Sequence, residues 1–422
     1  MLSWGPMLRN DRLHGEILDR FLRYVQIDTQ SDEDSTTMPS TPGQWELLRL
    51  LEREIREIGL ADVVLTEKGY LLATIPATVS KKVPTVAYFA HVDTAPDFTG
   101  KGVRPIVHRN YDGKPIALPD DPARVLDPAS LPHLGGKRGG TIVTASGTTL
   151  LGADDKAGVT IVVSLAAELV RLGSSHPHGK IRICLNPDEE IGRGVDGLDL
   201  AALGADVAYT IDGETPGELQ FESFSADKAR ITIEGVATHP GWAKGRMVNA
   251  LVLAGKLLAA LPREGISPET TEGRDGFLHP YEIEGSASKV ELRVILRDFE
   301  LAGLADKGER LRGLCAGLAA TEPRARVHCE ITPQYRNMRY WLEKDMRPVE
   351  LASRAYQAVG LLPETLPIRG GTDGSRLTER GLPAPNLFDG AHALHGPLEW
   401  VAVEDMELSV RMLLELSRLW AS

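Results

Sequence analysis

The spacing of apolar side chains predicts alternating helices and strands over the first half of the chain. Apolar positions recur every three or four residues over 12–26 and 43–59, which predicts two amphipathic helices. A long apolar helix is predicted to open after a turn at 149–155 and to end near Gly173. Short, mostly apolar runs predict strands at 63–66, 70–76, 83–90, 180–186 and 205–211. Strands that alternate with helices in this way favour a parallel α/β sheet.

The pattern changes near Phe224. Shorter segments follow in the order strand, helix, strand, helix, strand, at 229–236, 247–261, 289–299, 307–320 and 325–332. This order suits a compact α+β insertion. Helices are predicted again at 349–359 and 403–420, so we expect domain segments at 1–223, 224–334 and 335–422. Residues 97–140 are rich in Gly, Pro and Asp and predict little regular structure beyond strand candidates at 105–107 and 116–118.

Composition narrows the class of protein without naming a function. A length of 422 residues with 42% hydrophobic and 25% charged residues is typical of a soluble protein of two or three domains. The formal charge of -12 argues against binding to nucleic acid or to an anionic membrane. Three cysteines form no disulfide framework, and no apolar run approaches 18 residues. The first ten residues lack a signal-peptide pattern, with Met7 an alternative start, so a cytoplasmic protein is expected.

Polar side chains repeatedly follow the predicted strands. His91 and Asp93 end one strand, Glu189 and Glu190 follow another, and Asp212 ends a third. Ligands of parallel sheets bind beyond the carboxyl ends of the strands, so we expect these groups to meet there. Asp154 and Asp155 open the long helix. Considered alone, this pair is explained equally well as carboxylates that cap the N-terminus of the helix.

The chemistry of these side chains predicts a metal site. Imidazole and carboxylate ligands without a thiolate suit Zn²⁺, Mn²⁺ or Co²⁺. Five such ligands are more than one catalytic zinc needs, but they suit two metals that share a bridging carboxylate. Glu189 is then a spare carboxylate that can act as general base, and Asp93 can orient the ring of His91. The five predicted ligands are His91, Asp154, Glu190, Asp212 and His395.

Several motifs together resemble one known family. The chain resembles the peptidase T family of tripeptide aminopeptidases, which are related to di-zinc carboxypeptidases, aminoacylases and desuccinylases. The resemblance covers nearly the whole chain, with the motifs in the family's order, and a segment THPGWAKGRMVNA at 238–250 matches the family's lid. The other motifs are AHVDTAPD (90–97), LLGADDKAG (150–158), PDEEIG (187–192), YTIDG (209–213) and IRGGTDG (368–374).

The resemblance implies a fold and a reaction. The fold is an α/β, phosphorylase/hydrolase-like zinc-exopeptidase catalytic domain with an inserted α+β lid domain of the dimerisation type. Asp154 bridges two Zn²⁺ ions per subunit, with Co²⁺ or Mn²⁺ as substitutes, and a di-zinc-bound hydroxide releases the N-terminal residue of a tripeptide. Glu189 is the general base, Asp93 is the catalytic aspartate beside His91, and the peptide bond between Asp154 and Asp155 is cis. One zinc is held by His91, Asp154 and Asp212, and the other by Asp154, Glu190 and His395.

The same resemblance suggests substrate-binding residues. His239 matches the lid histidine that stabilises the oxyanion. Arg297 and Arg369 match positions suited to a bidentate contact with the peptide α-carboxylate, and Asn337 is a further candidate. An ordinary salt bridge between domains is the alternative interpretation for each arginine.

The segment 391–399 departs from the family because it lacks the expected tyrosines. It also holds a second imidazole, His392, three residues before the presumed ligand. The His-Gly-x-x-Glu pattern places the ligand at His395. Because the expected tyrosines are missing, we expect the pocket formed by this segment to accept a different N-terminal residue of the substrate.

Other functions are weaker interpretations. A GxGxxG match at 192–197 predicts a dinucleotide site, but the carboxylates just before it repel a pyrophosphate. A non-catalytic scaffold is disfavoured because all five ligands and the base are present. Among hydrolases, the alternative to a tripeptide aminopeptidase is a dipeptidase, a carboxypeptidase or an N-acyl-amino-acid deacylase on the same site. The expected partners are small peptides. A homodimer through the lid is common among relatives, but members of the peptidase T family need not share that interface.

Overall fold

The computed structural model describes residues 11–261 and 265–422, so the alternative start at Met7 lies outside the described residues. The described residues form two compact units. The first runs to Phe221 and resumes with Trp341–Leu366 and Thr372–Ser422, and the second consists of Glu222–Tyr340 and Pro367–Gly371. The second unit thus takes in a segment from the IRGGTDG motif that the sequence pattern assigns to the last domain.

A seven-stranded mixed sheet forms the centre of the first unit. Val86–His91 lies between Ile181–Asn186 and Val207–Gly213, and all three are parallel, as is Asn386–Phe388 next to them. The parallel sheet was therefore predicted correctly for the centre, whereas the strands at both edges are antiparallel. The remaining strands of this sheet are Ala61–Leu65, Leu71–Ile75 and Leu219–Gln220.

The long apolar helix is the centre of the core. Ala153–Leu172 packs against the sheet and against the helices Asp11–Tyr24 and Val403–Trp420. A helix that is apolar on all sides is stable only when it is buried on all sides. Ala153–Ser175 has the length and hydropathy of a membrane span, but 67% of the 18-residue apolar stretch within it is buried in the structure. The other helices of this unit, or at its boundary, are Pro42–Ile58, Pro132–Gly135, Leu200–Leu203, Arg339–Leu342, Arg347–Ala358 and Asp373–Glu379.

Residues 97–140 contain more structure than predicted. Both expected strands are present, and a further strand, Asp121–Leu126, pairs with Ile116–Leu118. Pro122 conceals this strand in the sequence because proline is usually excluded from sheets, although the edge of a two-stranded ribbon tolerates it. A small four-stranded sheet completes the unit with Ile106–His108, Ile142–Thr144, Ala391–His392 and Trp400–Ala402.

The second unit is an α+β unit, as predicted. Its four antiparallel strands are ordered Phe277–Gly285, Lys289–Asp298, Ser225–Glu234 and Arg326–Tyr335. The helices Ala250–Ala260 and Leu301–Thr321 pack against this sheet. In Lys289–Asp298 every second residue is buried, which is the alternation of a half-exposed strand. The strand Phe277–Gly285 was missed because it contains Pro280 and mostly polar or exposed positions.

Candidate metal centre and active site

Asp154 lies between two imidazole rings of the first unit. Its Oδ1 is 3.2 Å from Nε2 of His91, and its Oδ2 is 3.2 Å from Nε2 of His395. Nε2 of His91 also lies 3.5 Å from Oδ1 of Asp212, and Nε2 of His395 lies 3.2 Å from Oε2 of Glu190. The five predicted ligands therefore form two groups that share Asp154, which is the grouping that the resemblance implies.

The turn at the start of the long helix explains how Asp154 reaches this position. Asp154 and Asp155 both have non-helical backbone angles, and the peptide bond between them is cis, as the resemblance implied. Oδ1 of Asp155 accepts a hydrogen bond from the N–H of Gly158, and Oδ2 accepts one from the N–H of His91. The capping interpretation is thus correct for Asp155. Asp155 lies near the site, but both of its oxygens are occupied by backbone donors.

Asp93 connects His91 to the loop that carries Glu189 and Glu190. Its Oδ1 lies 3.3 Å from Nδ1 of His91 and accepts a 3.0 Å hydrogen bond from the N–H of Glu189. Its Oδ2 accepts a 3.1 Å hydrogen bond from the N–H of Glu190. Asp93 is fully buried. The carboxylate is therefore held by three groups of the site at once.

Asp188 anchors the same loop from the other side, and sequence reasoning assigned it no role. Its carboxylate accepts hydrogen bonds from the N–H and hydroxyl of Ser40 and from the side-chain amide of Gln44. Its own N–H donates to Oε1 of Gln44. Asp188 is buried with φ 58, a conformation that Asp tolerates better than most residues. The only sequence signal for this role of Asp188 is its position in the PDEEIG motif, and no sequence pattern singles out Gln44.

Glu399 holds the turn that precedes Asp154. Its Oε2 accepts hydrogen bonds of 2.7 Å from the N–H groups of Leu151 and Gly152, and its Oε1 accepts one of 2.9 Å from the N–H of Asp154. Glu399 is the last residue of the His-Gly-x-x-Glu pattern. The pattern therefore contains both His395, a proposed ligand, and the carboxylate that fixes the backbone of Asp154.

The donor set fits divalent cations. Each of the two groups has one imidazole and carboxylate oxygens, the ligands that Zn²⁺, Mn²⁺ and Co²⁺ accept. Oε1 of Glu190 is buried without a hydrogen-bond partner, an arrangement that costs free energy unless a cation or donor reaches it. Burial and the charge of Asp154 raise the pKa of Glu190 to about 8. Burial also raises the pKa of Asp212 to about 6, although its contact with His91 opposes the shift.

Glu189 lies next to this set. Burial and the charges of nearby carboxylates, with His91 opposing, raise the pKa of Glu189 well above its usual range. Asp373, from the IRGGTDG motif, is one of those carboxylates, and its Oδ2 accepts a 2.6 Å hydrogen bond from the amide of Asn186. Asp373 is thereby fixed to the end of the strand Ile181–Asn186, a role that the sequence did not predict.

His392 lies outside the ligand groups. Its ring stacks between Trp400, at 4.4 Å between ring centroids, and His133, at 5.2 Å. Its nearest carboxylate is Glu214, whose Oε2 is 4.0 Å from Nδ1. The preference for His395 as the ligand is therefore supported by the position of both rings.

Two of the predicted substrate-binding residues are held within the second unit. All four hydrogen-bonding positions of the buried Asn337 amide are used, by Ser223, Arg339, Glu222 and Phe299. A substrate role for Asn337 is not supported by this placement. Arg369 donates to the carbonyls of Gly273 and Asp275 and packs on aromatic rings, so its guanidinium is also occupied.

The other two remain available for binding. Among the described residues, Arg297 donates through Nη1 alone, to the carbonyls of Asp227 and Leu296 and to Gln334, and its guanidinium packs on the ring of Tyr335. Within residues 11–261 and 265–422 no carboxylate pairs with its guanidinium at salt-bridge distance. The side chain of His239 is exposed, with Nδ1 accepting a hydrogen bond from the N–H of Gly241.

Comparisons with known proteins show the family and the fold of this chain. Residues 147–418 match the family described as Peptidase family M20/M25/M40. Peptidase T from a Geobacillus species is 43% identical over 97% of this chain and 99% of its own length. The crystal structure of aminopeptidase PepT from Bacillus cereus has a TM-score of 0.74 at 22% identity, covering 97% of this chain and 99% of that one. A dinuclear metal-binding peptidase of family M20 from Bacillus subtilis has a TM-score of 0.66 at 14% identity, covering 97% and 98%.

Fold and site together define a hydrolytic metallopeptidase with the fold of the dinuclear M20 enzymes. The chain belongs to peptidase family M20/M25/M40 and, within it, to the peptidase T group. The resemblance to the peptidase T family is thereby confirmed. The dinucleotide interpretation of 192–197 is excluded by this membership, and in the structure these residues form turns rather than the start of a helix.

Proposed function

We propose that this chain is a metal-dependent aminopeptidase that releases the N-terminal residue of tripeptides. The observation that carries the proposal is the position of Asp154, with one carboxylate oxygen 3.2 Å from each of two imidazoles. A carboxylate that faces two ligand groups in this way suits a pair of bridged metal ions. The peptidase T relatives support the tripeptide as substrate.

The two groups assign the ligands. His91, Asp154 and Asp212 hold one divalent cation, and Asp154, Glu190 and His395 hold the other. The pair is Zn²⁺, with Co²⁺ or Mn²⁺ as substitutes. When bound, such a pair activates a water molecule at neutral pH and polarises the scissile carbonyl.

The surrounding side chains perform the remaining steps. Glu189 takes a proton from the attacking water and returns it to the leaving amine. Asp93 orients His91 through Nδ1 and fixes the backbone of Glu189, so that the base and the ligand keep one relative position. Arg297, which has no carboxylate partner in the described parts of the chain, binds the peptide α-carboxylate, and His239 stabilises the oxyanion. The enzyme acts in the cytoplasm on small peptides, as a homodimer.

Hydrolysis of a peptide panel tests the proposal. The panel contains di-, tri- and tetrapeptides, an N-acetylated tripeptide and N-acyl amino acids, each with and without a chelator. We expect cleavage of free tripeptides at the first bond, abolished by the chelator and restored by zinc, with about two metal equivalents per chain. Activity that survives complete metal removal contradicts the metal mechanism. Cleavage of N-acyl amino acids alone replaces the aminopeptidase with a deacylase.

A further inference from the structure

A groove lies beside His395 in the first unit. Its volume is about 730 Å³, and both neighbours of His395 in the chain, Leu394 and Gly396, line it. Most of its wall is apolar, with Phe98, Pro397 and Leu398 contributing, and only two charged residues, Glu214 and Arg124, face it. A groove of this kind can accept a side chain that has an apolar stem and a charged end.

Glu214 is close in sequence to Asp212, one of the proposed metal ligands. Asp212 lies in the strand Val207–Gly213, and Glu214 is the first residue after that strand. Two residues of chain span at most about 7 Å, so the backbone of Glu214 lies within that distance of the backbone of Asp212. A lysine side chain spans a similar length from its Cα to its ammonium group. Glu214 is thus placed to meet the far end of a side chain whose backbone lies at the metal centre.

The charge of Glu214 is not compensated by a cation of the chain. Within the described ranges, its only ion-pair partner is Nδ1 of His392, at 4.0 Å. Burial, followed by the charges of Lys137 and His133, lowers the pKa of His392 to about 3, so this ring is neutral at pH 7. The side chain of Glu214 is 53% exposed and therefore accessible to a ligand.

Arg124 does not cancel this charge. Its Nε lies 3.0 Å from Oδ2 of Asp121, its Nη1 donates to the carbonyl of Gly147, and its guanidinium packs over the ring of Phe98. Asp121 compensates the charge of Arg124, and the other two contacts hold its side chain against the wall of the groove. The groove therefore carries a net negative charge at Glu214.

We propose that this groove binds the side chain of the substrate's N-terminal residue and that Glu214 selects a basic side chain, lysine or arginine, at that position. The inference rests on the proposed aminopeptidase function, because only one residue then precedes the scissile bond and its side chain must lie beside the metal ligands. The apolar wall packs against the methylene stem, and the carboxylate pairs with the ammonium or guanidinium group.

Matched tripeptides test this inference. Lys-Gly-Gly, norleucyl-Gly-Gly and Glu-Gly-Gly share their backbone, and norleucine has nearly the shape of lysine without its charge. For the unmodified enzyme with zinc we expect kcat/KM on Lys-Gly-Gly to exceed that on norleucyl-Gly-Gly by about fivefold, mainly through KM. In Glu214→Gln this ratio falls to about one, and in Glu214→Lys the preference moves towards Glu-Gly-Gly. Glu57→Gln removes an exposed carboxylate elsewhere and keeps the ratio of the unmodified enzyme.

The outcomes separate the inference from the function on which it rests. Failure to cleave any tripeptide overturns the proposed function and this inference with it. Cleavage with equal kcat/KM for the lysyl and norleucyl peptides overturns the inference alone. If Glu214→Gln lowers kcat/KM equally for all three peptides, Glu214 binds the α-ammonium group common to them, and the side-chain proposal is wrong. Metal analysis and circular dichroism of each variant check that it is folded and carries its metal ions.

Discussion

The N–H of Glu189 donates a 3.0 Å hydrogen bond to Oδ1 of Asp93, the same oxygen that lies 3.3 Å from Nδ1 of His91. The second oxygen of Asp93 accepts a hydrogen bond from the next N–H along the loop, that of Glu190. Asp93 thereby contacts both the ring of a proposed metal ligand, whose Nδ1 also lies 3.1 Å from the Asp93 backbone carbonyl, and the backbone of the proposed base.

Asp93→Asn tests this dual contact. The amide nitrogen of asparagine cannot accept a hydrogen bond, so the N–H of either Glu189 or Glu190 loses its acceptor. We expect kcat on a tripeptide to fall roughly 10–100-fold at saturating zinc. Steady-state kinetics with Glu57→Gln as the control checks this, and an unchanged kcat contradicts the positioning role.

Glu189→Gln separates metal binding from proton transfer. The variant keeps the size of the side chain but removes its basic oxygen, and the five proposed ligands remain. We expect the metal content to be retained while kcat falls roughly 10²–10⁴-fold. Metal analysis and kinetics of the same preparation measure both quantities. Near-normal turnover removes Glu189 from the mechanism.

The two imidazoles of the 391–399 segment are expected to respond differently. His395→Ala removes a ring that lies 3.2 Å from both Asp154 and Glu190, so the metal content should fall from about two equivalents to about one. His392→Phe keeps the aromatic stack on Trp400 and should keep both metals. The reverse result identifies His392 as the ligand.

Asp188→Ala is expected to destabilise the first unit. The substitution leaves the N–H of Ser40 and the amide of Gln44 without their buried acceptor, at a cost of about 1–3 kcal/mol. Asp188→Asn keeps one acceptor and the tolerance of a positive φ, so it should lose less. Urea unfolding of the three proteins gives the comparison. Equal midpoints for Asp188→Ala and the unmodified chain contradict the anchoring role.

Glu54 is expected to make stability depend on acid pH. Burial opposes its charge, but hydrogen bonds from Arg20 and Tyr24 and the charges of Arg23 and Arg20 outweigh burial and lower the pKa of Glu54. A lowered folded-state pKa means that the unfolded chain binds more protons. The stabilisation is therefore complete above the ordinary value of 4.5 and is lost as the pH falls through the folded-state pKa.

Glu54→Gln tests this linkage. At pH 7 the variant should be less stable than the unmodified chain by about 1.5–3 kcal/mol, the range for hydrogen bonds to charged groups. The difference should shrink when both proteins are unfolded in urea at successively lower pH below 4.5. A difference that stays constant with pH shows that the contact is steric rather than electrostatic.

Local sequence patterns were sufficient to predict the arrangement of the centre of the protein. Periodicity predicted the strand that ends at His91 and the buried helix behind it, because burial imposes hydrophobic patterns that are local in the chain. The ordered motifs indicated the family. Polar residues after successive strands indicated a common site, since parallel strands place their carboxyl ends at one edge of a sheet.

The side-chain partners of these residues follow from the three-dimensional arrangement of the chain. Asp154 and Asp155 are adjacent and chemically identical, yet one faces two imidazoles and the other caps a helix. Asn337 matched a substrate-binding position, but its amide is fully used inside its own unit. The anchoring of Asp188 by Gln44 joins residues 144 positions apart. Side-chain partners of this kind depend on directions and distances of a few ångströms between distant segments, and local sequence patterns carry no information about them.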